Sequence, residues 1–523
     1  MDVPLTPLDF MRRARRLYAD REALVDGHER WTYAEFFQRC DCWSAALQAL
    51  GIRQGDRVAY ISPNSHAQLE SFYAVPQIGA VLVPINFRLA AEELVYLVNH
   101  SGARVLCVAE SHLDTVDGIR GELRGVEHFI ALEGSRPGWK SYEALLRAAP
   151  PEPRRPEIGE RDLLTINYTS GTTSRPKGVM ITHRNAWMNT VGTLVHIHMT
   201  PADRYLWTLP MFHANGWTFV WTITAAGGTH VSLPKVEPAR VFDLIRREGI
   251  TALCAAPTVL IGLAHAPADV RHDVPRGVRV FTAGAPPAAA TIEAIEDGLG
   301  WCITHMYGLT ETAPFITVCE PRPEHDLLPA TAQASIKARQ GVELITSGEL
   351  KVVDGDGREV PHDACSPGEI VVRGNVVMEG YYNDPEATRK VMGDGWFHTG
   401  DGAVVHPDGY VEIRDRMKDV IISGGENISS VEVEAMLLRH PAVQEVGVVG
   451  LPDERWGEAP HAFVVLKAGA STTPEELREF SRAHLAHFKT PHSFTFVSEL
   501  PKTATGKIQK YVLRGGRANL ATQ

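Results

Sequence analysis

From Arg30 onward the chain alternates apolar runs of strand length with segments of helical period. That alternation is the pattern of a layered α/β domain with a largely parallel sheet. Residues 58–62, 80–85 and 105–109 read as strands, and residues 35–50, 68–78 and 91–100 as the helices between them. A Pro/Arg-rich connection at 149–156 leads to a short buried strand at 163–167. Further strands are predicted at 206–209, 230–233, 252–256 and 278–283, with helices at 238–247 and 288–297. Past Gly341 the runs shorten. Asp354-Gly355-Asp356-Gly357 and Pro407-Asp408-Gly409 read as hairpin turns. Near Arg414 the pattern changes again: strands at 420–422, 443–449, 461–466 and 494–497, with helices at 431–439 and 474–487, are enough for a small α+β unit. The expected fold class is therefore α/β, with a large multi-layer N-terminal domain of mainly parallel sheets, a small β-rich subdomain, and a small α+β C-terminal domain.

Composition narrows the function. A chain of 523 residues is too long for one ordinary core, and 44% hydrophobic content is that of a globular protein. A formal charge of −11 argues against nucleic acid as a partner, which calls for a basic excess or stripe. The arginines at 12, 13, 15 and 16 precede no hydrophobic run of signal-peptide length, and no stretch has the apolar length of an integral membrane segment. The expected location is cytoplasmic. Seven scattered cysteines read as reduced thiols rather than as metal ligands or disulfides.

The stretch with the clearest chemistry is Tyr168-Thr169-Ser170-Gly171-Thr172-Thr173-Ser174-Arg175-Pro176-Lys177-Gly178. A Ser/Thr/Gly loop behind a buried strand can aim hydroxyls and backbone N–H groups at one anion, with Lys177 adding positive charge. A Walker loop opens a helix with Gly-Lys-Ser/Thr, whereas Lys177 lies between Pro176 and Gly178. A plain solvated turn has the same composition. Other combinations stand further along. His213 to Trp217 form an imidazole and aromatic cluster, which is also a common core arrangement. Gly284 and Ala285 end a strand with small residues. Tyr307-Gly308-Leu309-Thr310-Glu311 joins an aromatic ring, a hydroxyl and a hard oxygen ligand suited to magnesium. Asp401 follows a glycine turn. Asp415-Arg416-Met417-Lys418-Asp419 and Pro501-Lys502-Thr503-Ala504-Thr505-Gly506-Lys507 are charged stretches of the C-terminal third.

In order and spacing these motifs resemble the adenylate-forming, AMP-binding superfamily, from about Thr32 to Arg514. Leu5 to Phe10, Pro210 to Trp217 and Phe488-Lys489-Thr490-Pro491 are similar to the acyl-activating branch, which includes medium-chain fatty acyl and methylmercaptopropionate-type CoA ligases. The resemblance implies an N-terminal AMP-binding domain at 1–414, a hinge at 415–419 and a mobile catalytic domain at 420–523. It implies ATP, Mg2+ and coenzyme A as cofactors and a small-molecule carboxylic acid as partner. Trp217, Phe219 and Trp221 crowd the expected acyl entrance, which favours a short or medium chain or a compact aryl acid, and a buried aromatic stripe that never touches substrate fits the same residues. A homodimer is admitted, although no stretch marks an interface.

The site residues follow from the same resemblance. Thr169, Ser170, Gly171, Thr172, Thr173 and Lys177 would cradle the β- and γ-phosphates, with Thr169 and Glu311 in the metal shell. Tyr307 would stack on adenine, walled by Gly284 and Ala285 and flanked by Gly308 and Thr310. Asp401 would take the ribose hydroxyls and Arg416 bind close by. Lys507, catalytic with Glu311 and His213, would reach the α-phosphate. Lys418 would be the hinge that brings Ser423, Gly424 and Gly425 to the pantetheine arm. His213, Trp217 and Gly284 would meet the acid. The resemblance leaves other readings: a ligase that loads a carrier-protein phosphopantetheine, a luciferase-like oxygenase, and an inactive nucleotide-binding regulatory protein, which would be expected to lack Lys507 or Glu311.

Overall fold

A computed structural model describes residues 2–150, 152–169, 176–416, 419–424, 426–453, 455–503 and 506–515. Ser170, Gly171, Thr172, Thr173, Lys418 and Gly425 of the expected site lie outside those residues.

Among the described residues the strands form four sheets. The first runs in the order Val342–Glu343, Phe315–Val318, Cys302–Gly308, Arg279–Thr282, Ala252–Cys254, Arg204–Leu206, Thr229–Val231, Glu22–Asp26 and Glu29–Thr32. Its middle is parallel and both ends are closed by antiparallel pairs. The second runs from Gly380–Tyr381 through Lys177–Thr182, Leu163–Thr169, Val81–Ile85, Arg57–Ile61, Ala103–Val108 and His128–Ala131 to Lys140–Ser141. Val81–Ile85 is buried at every position, as a strand covered on both faces must be. A four-stranded antiparallel sheet, Glu349–Val353 to Val411–Arg416, forms the β-rich subdomain. The last sheet pairs Val443–Asp453 with Gly457–Leu466 in a long hairpin and belongs to the C-terminal unit, which has apolar clusters of its own.

Local chemistry explains the element boundaries. Thr32 and Glu35 form a capping box that starts the helix Tyr33–Ala49, and Thr473 with Glu476 does the same for Pro474–His484. The helix expected over 68–78 ends at Ala74, because Pro76 cannot donate and the chain continues as a 3₁₀ turn, Pro76–Ile78. The strand expected over 206–209 stops at Leu206, and Asn64 holds the chain beyond it: its amide donates to the carbonyls of Trp207 and Leu209 and accepts from Met211 N–H. Lys177 opens a strand antiparallel to Leu163–Thr169, in register Thr169 to Lys177. The glycine-rich segment therefore joins two antiparallel strands. No helix among the described residues is long and apolar enough to cross a membrane.

Candidate active site

Three sheets converge on one cluster of polar side chains. Tyr307, on the strand Cys302–Gly308, donates its hydroxyl to Asp401 Oδ2 at 2.7 Å. Asp401 lies on Phe397–Val405, and its other oxygen faces Arg416 Nε at 3.2 Å. Arg416 ends the paired strand Val411–Arg416, in register with Asp401. Burial and the Asp401 carboxylate hold the Tyr307 phenol well above its ordinary range, so it remains a donor. Gly308 sits where a Cβ would collide with the Pro314 carbonyl, so the two backbones approach closely at the irregularity that follows Tyr307. Thr310 and Glu311 follow in a 3₁₀ turn.

Glu311 is half-buried, and burial pushes its carboxyl up from the usual carboxylate range, opposed by its own backbone N–H and by the hydroxyl that Tyr381 donates to Oε1 at 2.9 Å. The Lys177 ammonium lies 4.7 Å from the centre of the same Tyr381 ring. Tyr381 thus links the acid of one motif to the lysine of another. Sequence reading did not select it; the signal available was its place in Glu-Gly-Tyr-Tyr, directly before the helix Pro385–Met392. Thr169, half-buried, ends the strand that leads into the glycine-rich segment.

The C-terminal unit contributes Lys507. Its loop is a tight turn in which Thr503 N–H donates to the Lys507 carbonyl at 2.8 Å and Lys507 N–H donates to Thr503 Oγ1 at 3.1 Å. Gly506 has φ +81°, and a Cβ there would collide with the Thr258 hydroxyl of the large domain, so the loop seats directly on the helix Pro257–Ala264. Burial, then the Arg416 guanidinium, bring the Lys507 ammonium down to about 8, while Asp401 and Asp419 pull the other way. His213 feels that ammonium too: burial, then Lys507, lower it to about 4, so the imidazole is neutral near pH 7. Lys507, Arg416, Asp401 and His213 therefore share one electrostatic environment.

Beside them runs the turn Ala214–Trp217, whose backbone is left-handed. Trp217 is buried; its Cζ2 lies 3.7 Å from where a Cβ on Gly284 would stand, and its ring meets Phe315 edge-on at 5.9 Å. Gly284 has φ +89° and is exposed, with Ala285 next to it half-buried. Phe219 and Trp221, whose bulk entered the expectation of a short or compact acid, are core residues: Phe219 stacks on Tyr205, and Trp221 packs edge-on against Phe72. Ser423 and Gly424 are elsewhere. They pair with the hairpin around Trp456, to whose carbonyl Gly424 N–H donates at 2.9 Å.

The description of one matching family model is AMP-binding enzyme, over residues 10–382; that of a second is AMP-binding enzyme C-terminal domain, over residues 432–507. The chain belongs to the AMP-binding enzyme family. Within it, the chain is 43% identical over 519 residues to 4-hydroxybutyrate–CoA ligase 2 of Metallosphaera sedula, covering 98% of this chain and 94% of that one. It is 42% identical to 2-methylpropanoate–CoA ligase CCL4 of Humulus lupulus, covering 98% and 95%. Its fold matches a crystal structure of the anthranilate CoA ligase AuaEII in complex with anthranoyl-AMP, with a TM-score of 0.88 at 28% identity and coverage of 98% and 97%. As a CoA ligase of the AMP-binding enzyme family, the protein is an acid–thiol ligase that uses ATP and coenzyme A.

Proposed function

We propose that the protein activates a short-chain or compact aryl carboxylic acid as its acyl-adenylate and transfers the acyl group to coenzyme A, with the acid lying between His213, Trp217 and Gly284. The observation that carries this reading is the seating of the loop that holds Lys507 on the large domain, where a Cβ on Gly506 would strike the Thr258 hydroxyl, so that Lys507 feels the charges of the Asp401–Arg416 pair while the Trp217 ring lies near Gly284. In the first half-reaction the acid's carboxylate oxygen attacks the α-phosphorus and pyrophosphate leaves. Two anions must meet, so the step depends on cations placed where charge grows. Lys507 supplies one at the α-phosphate and the attacking carboxylate. Arg416 and Asp401 orient the ribose, Tyr307 stacks on the adenine, and Lys177 with Thr169 holds the distal phosphates. In the second half-reaction the thiol sulfur attacks the acyl carbon and AMP leaves.

The residues suit magnesium. Glu311 and the Thr169 hydroxyl are hard oxygen donors, and no group of three or more His, Cys, Asp or Glu among the described residues could form an all-protein cage. Magnesium keeps phosphate and water among its ligands, which two protein oxygens permit. When bound, it supplies charge neutralisation on the phosphates.

The 4-hydroxybutyrate and 2-methylpropanoate of the two ligases named above favour a short acid, and the anthranilate of the third a compact ring. The test is a panel from acetate to octanoate with benzoate, cinnamate and 4-hydroxybutyrate, assayed for AMP release with ATP and coenzyme A. Turnover peaking at four to six carbons or at benzoate is expected; a maximum at octanoate or beyond refutes the assignment. Turnover with a carrier-protein phosphopantetheine but not with free coenzyme A would move the acceptor to the carrier.

A further inference from the structure

The segment that joins His213 to the helix Phe219–Ala226 takes five successive left-handed conformations: φ is 37° at Ala214, 49° at Asn215, 54° at Gly216, 52° at Trp217 and 66° at Thr218. Residues with a Cβ adopt this region singly, and asparagine tolerates it best. A run of this length has to be fastened by its surroundings. The fastening is a closed ring of three buried side chains. Thr165 Oγ1 donates to Asn167 Oδ1 at 2.7 Å, Asn167 Nδ2 donates to Asn215 Oδ1 at 3.1 Å, and Asn215 Nδ2 donates to Thr165 Oγ1 at 2.9 Å. Asn167 also reaches the Phe212 carbonyl, at 3.4 Å. Each member donates once around the ring and accepts once, so removing any of them strands two buried polar groups.

We infer that Asn215 is a positioning residue that sets which acid the pocket admits, acting through Trp217. This rests on the proposed placement of the acid between His213, Trp217 and Gly284. Asn215 lies between His213 and Trp217 in sequence, and its ring partners Thr165 and Asn167 sit on Leu163–Thr169, the strand that enters the glycine-rich segment. The ring thus anchors the turn to the strand that feeds the phosphate site. It holds the Trp217 ring against Gly284 and Phe315. Without it, the turn relaxes toward right-handed backbone, a change of about 100° in φ per residue, and Trp217 leaves its slot. The closed end of the pocket then opens, and longer acids gain over short ones.

The experiment measures kcat and KM for butyrate, hexanoate, octanoate and benzoate in the full-length enzyme with ATP and coenzyme A. In Asn215→Ala the ratio of kcat/KM for octanoate to that for butyrate rises at least tenfold, through KM for the acid, while KM for ATP stays within twofold. Asn215→Asp, which keeps an acceptor for Asn167 and loses the donor to Thr165, falls between wild type and Asn215→Ala. In a Trp217→Ala background the added Asn215→Ala shift disappears, because its target is gone. Should Asn215→Ala fail to fold, Thr165→Val, which removes only the hydroxyl, shows the same shift in ratio. A common loss for all four acids overturns the inference, since destabilisation lowers every acid alike; so does a shift that persists without Trp217. A wild-type enzyme that converts none of the acids removes instead the reading on which the inference stands.

Discussion

Lys507 shows what one half-buried residue gains and loses from its surroundings. Its pKa is down at about 8, against an ordinary value of 10.5, because burial and Arg416 disfavour the charged form. The ammonium is therefore present below pH 8 and is lost as pH rises through that value. If it steadies the charge of adenylate formation, kcat/KM for ATP in pyrophosphate exchange declines above pH 8, about tenfold per pH unit. In Lys507→Arg, whose guanidinium stays protonated, the residual rate lacks that alkaline limb. Lys507→Ala lowers acyl-adenylate formation by about 100-fold or more and leaves thioester formation from supplied acyl-AMP intact. Equal loss in both half-reactions argues against a role confined to the first. The stability sign is opposite to the activity sign. Between pH 8 and the ordinary lysine range the unfolded chain binds the proton that the folded chain has released, so stability rises with pH across that window. Glu311 and His213 make the same point in opposite charge types: burial favours the neutral form of each.

At the scale of an element, the loop that carries Lys507 is held by its own backbone and by the surface below it. Gly506 has φ +81° and no room for a Cβ above Thr258. Gly506→Ala is expected to lift the loop and cut acyl-adenylate formation at least tenfold, with little change in melting temperature because the loop lies outside the core. Thr258→Ala added to it relieves the collision and restores part of the rate, leaving the cost of the left-handed backbone. No recovery in the double variant would mean that φ alone limits Gly506. The strands Leu163–Thr169 and Lys177–Thr182 offer a contrast: they pair with each other directly, in register Thr169 to Lys177.

For the whole molecule, the question is how a small C-terminal unit serves a site built by the large one. Its sheet and apolar clusters are its own, yet Asp415 Oδ2 accepts from Ser430 N–H at 2.7 Å and Arg514 pairs with Asp419 at 2.7 Å. Those contacts tie the junction to the unit beyond it. The proposed hinge, Lys418, falls within that junction. Lys418→Pro is expected to hold the arrangement that seats the Gly506 loop, and with it Lys507, against Thr258, so that pyrophosphate exchange survives while coenzyme A turnover is lost. Unchanged coenzyme A turnover in this variant removes Lys418 as the pivot.

The sequence by itself determined the alternation of strands and helices, the change of character beyond about Arg414 and the family, because these are written in local periodicity and in short motifs whose residues are neighbours along the chain. Strand ends were less legible: the run from Leu206 to Leu209 is apolar enough for a strand, and a distant side chain, Asn64, ends it. Tertiary structure alone decided that Tyr381 joins Glu311 to Lys177, that Phe219 and Trp221 belong to the core, and that Thr165, Asn167 and Asn215 close a ring. Most of these contacts join residues far apart along the chain, and they depend on which buried groups find partners, a condition that no local pattern records.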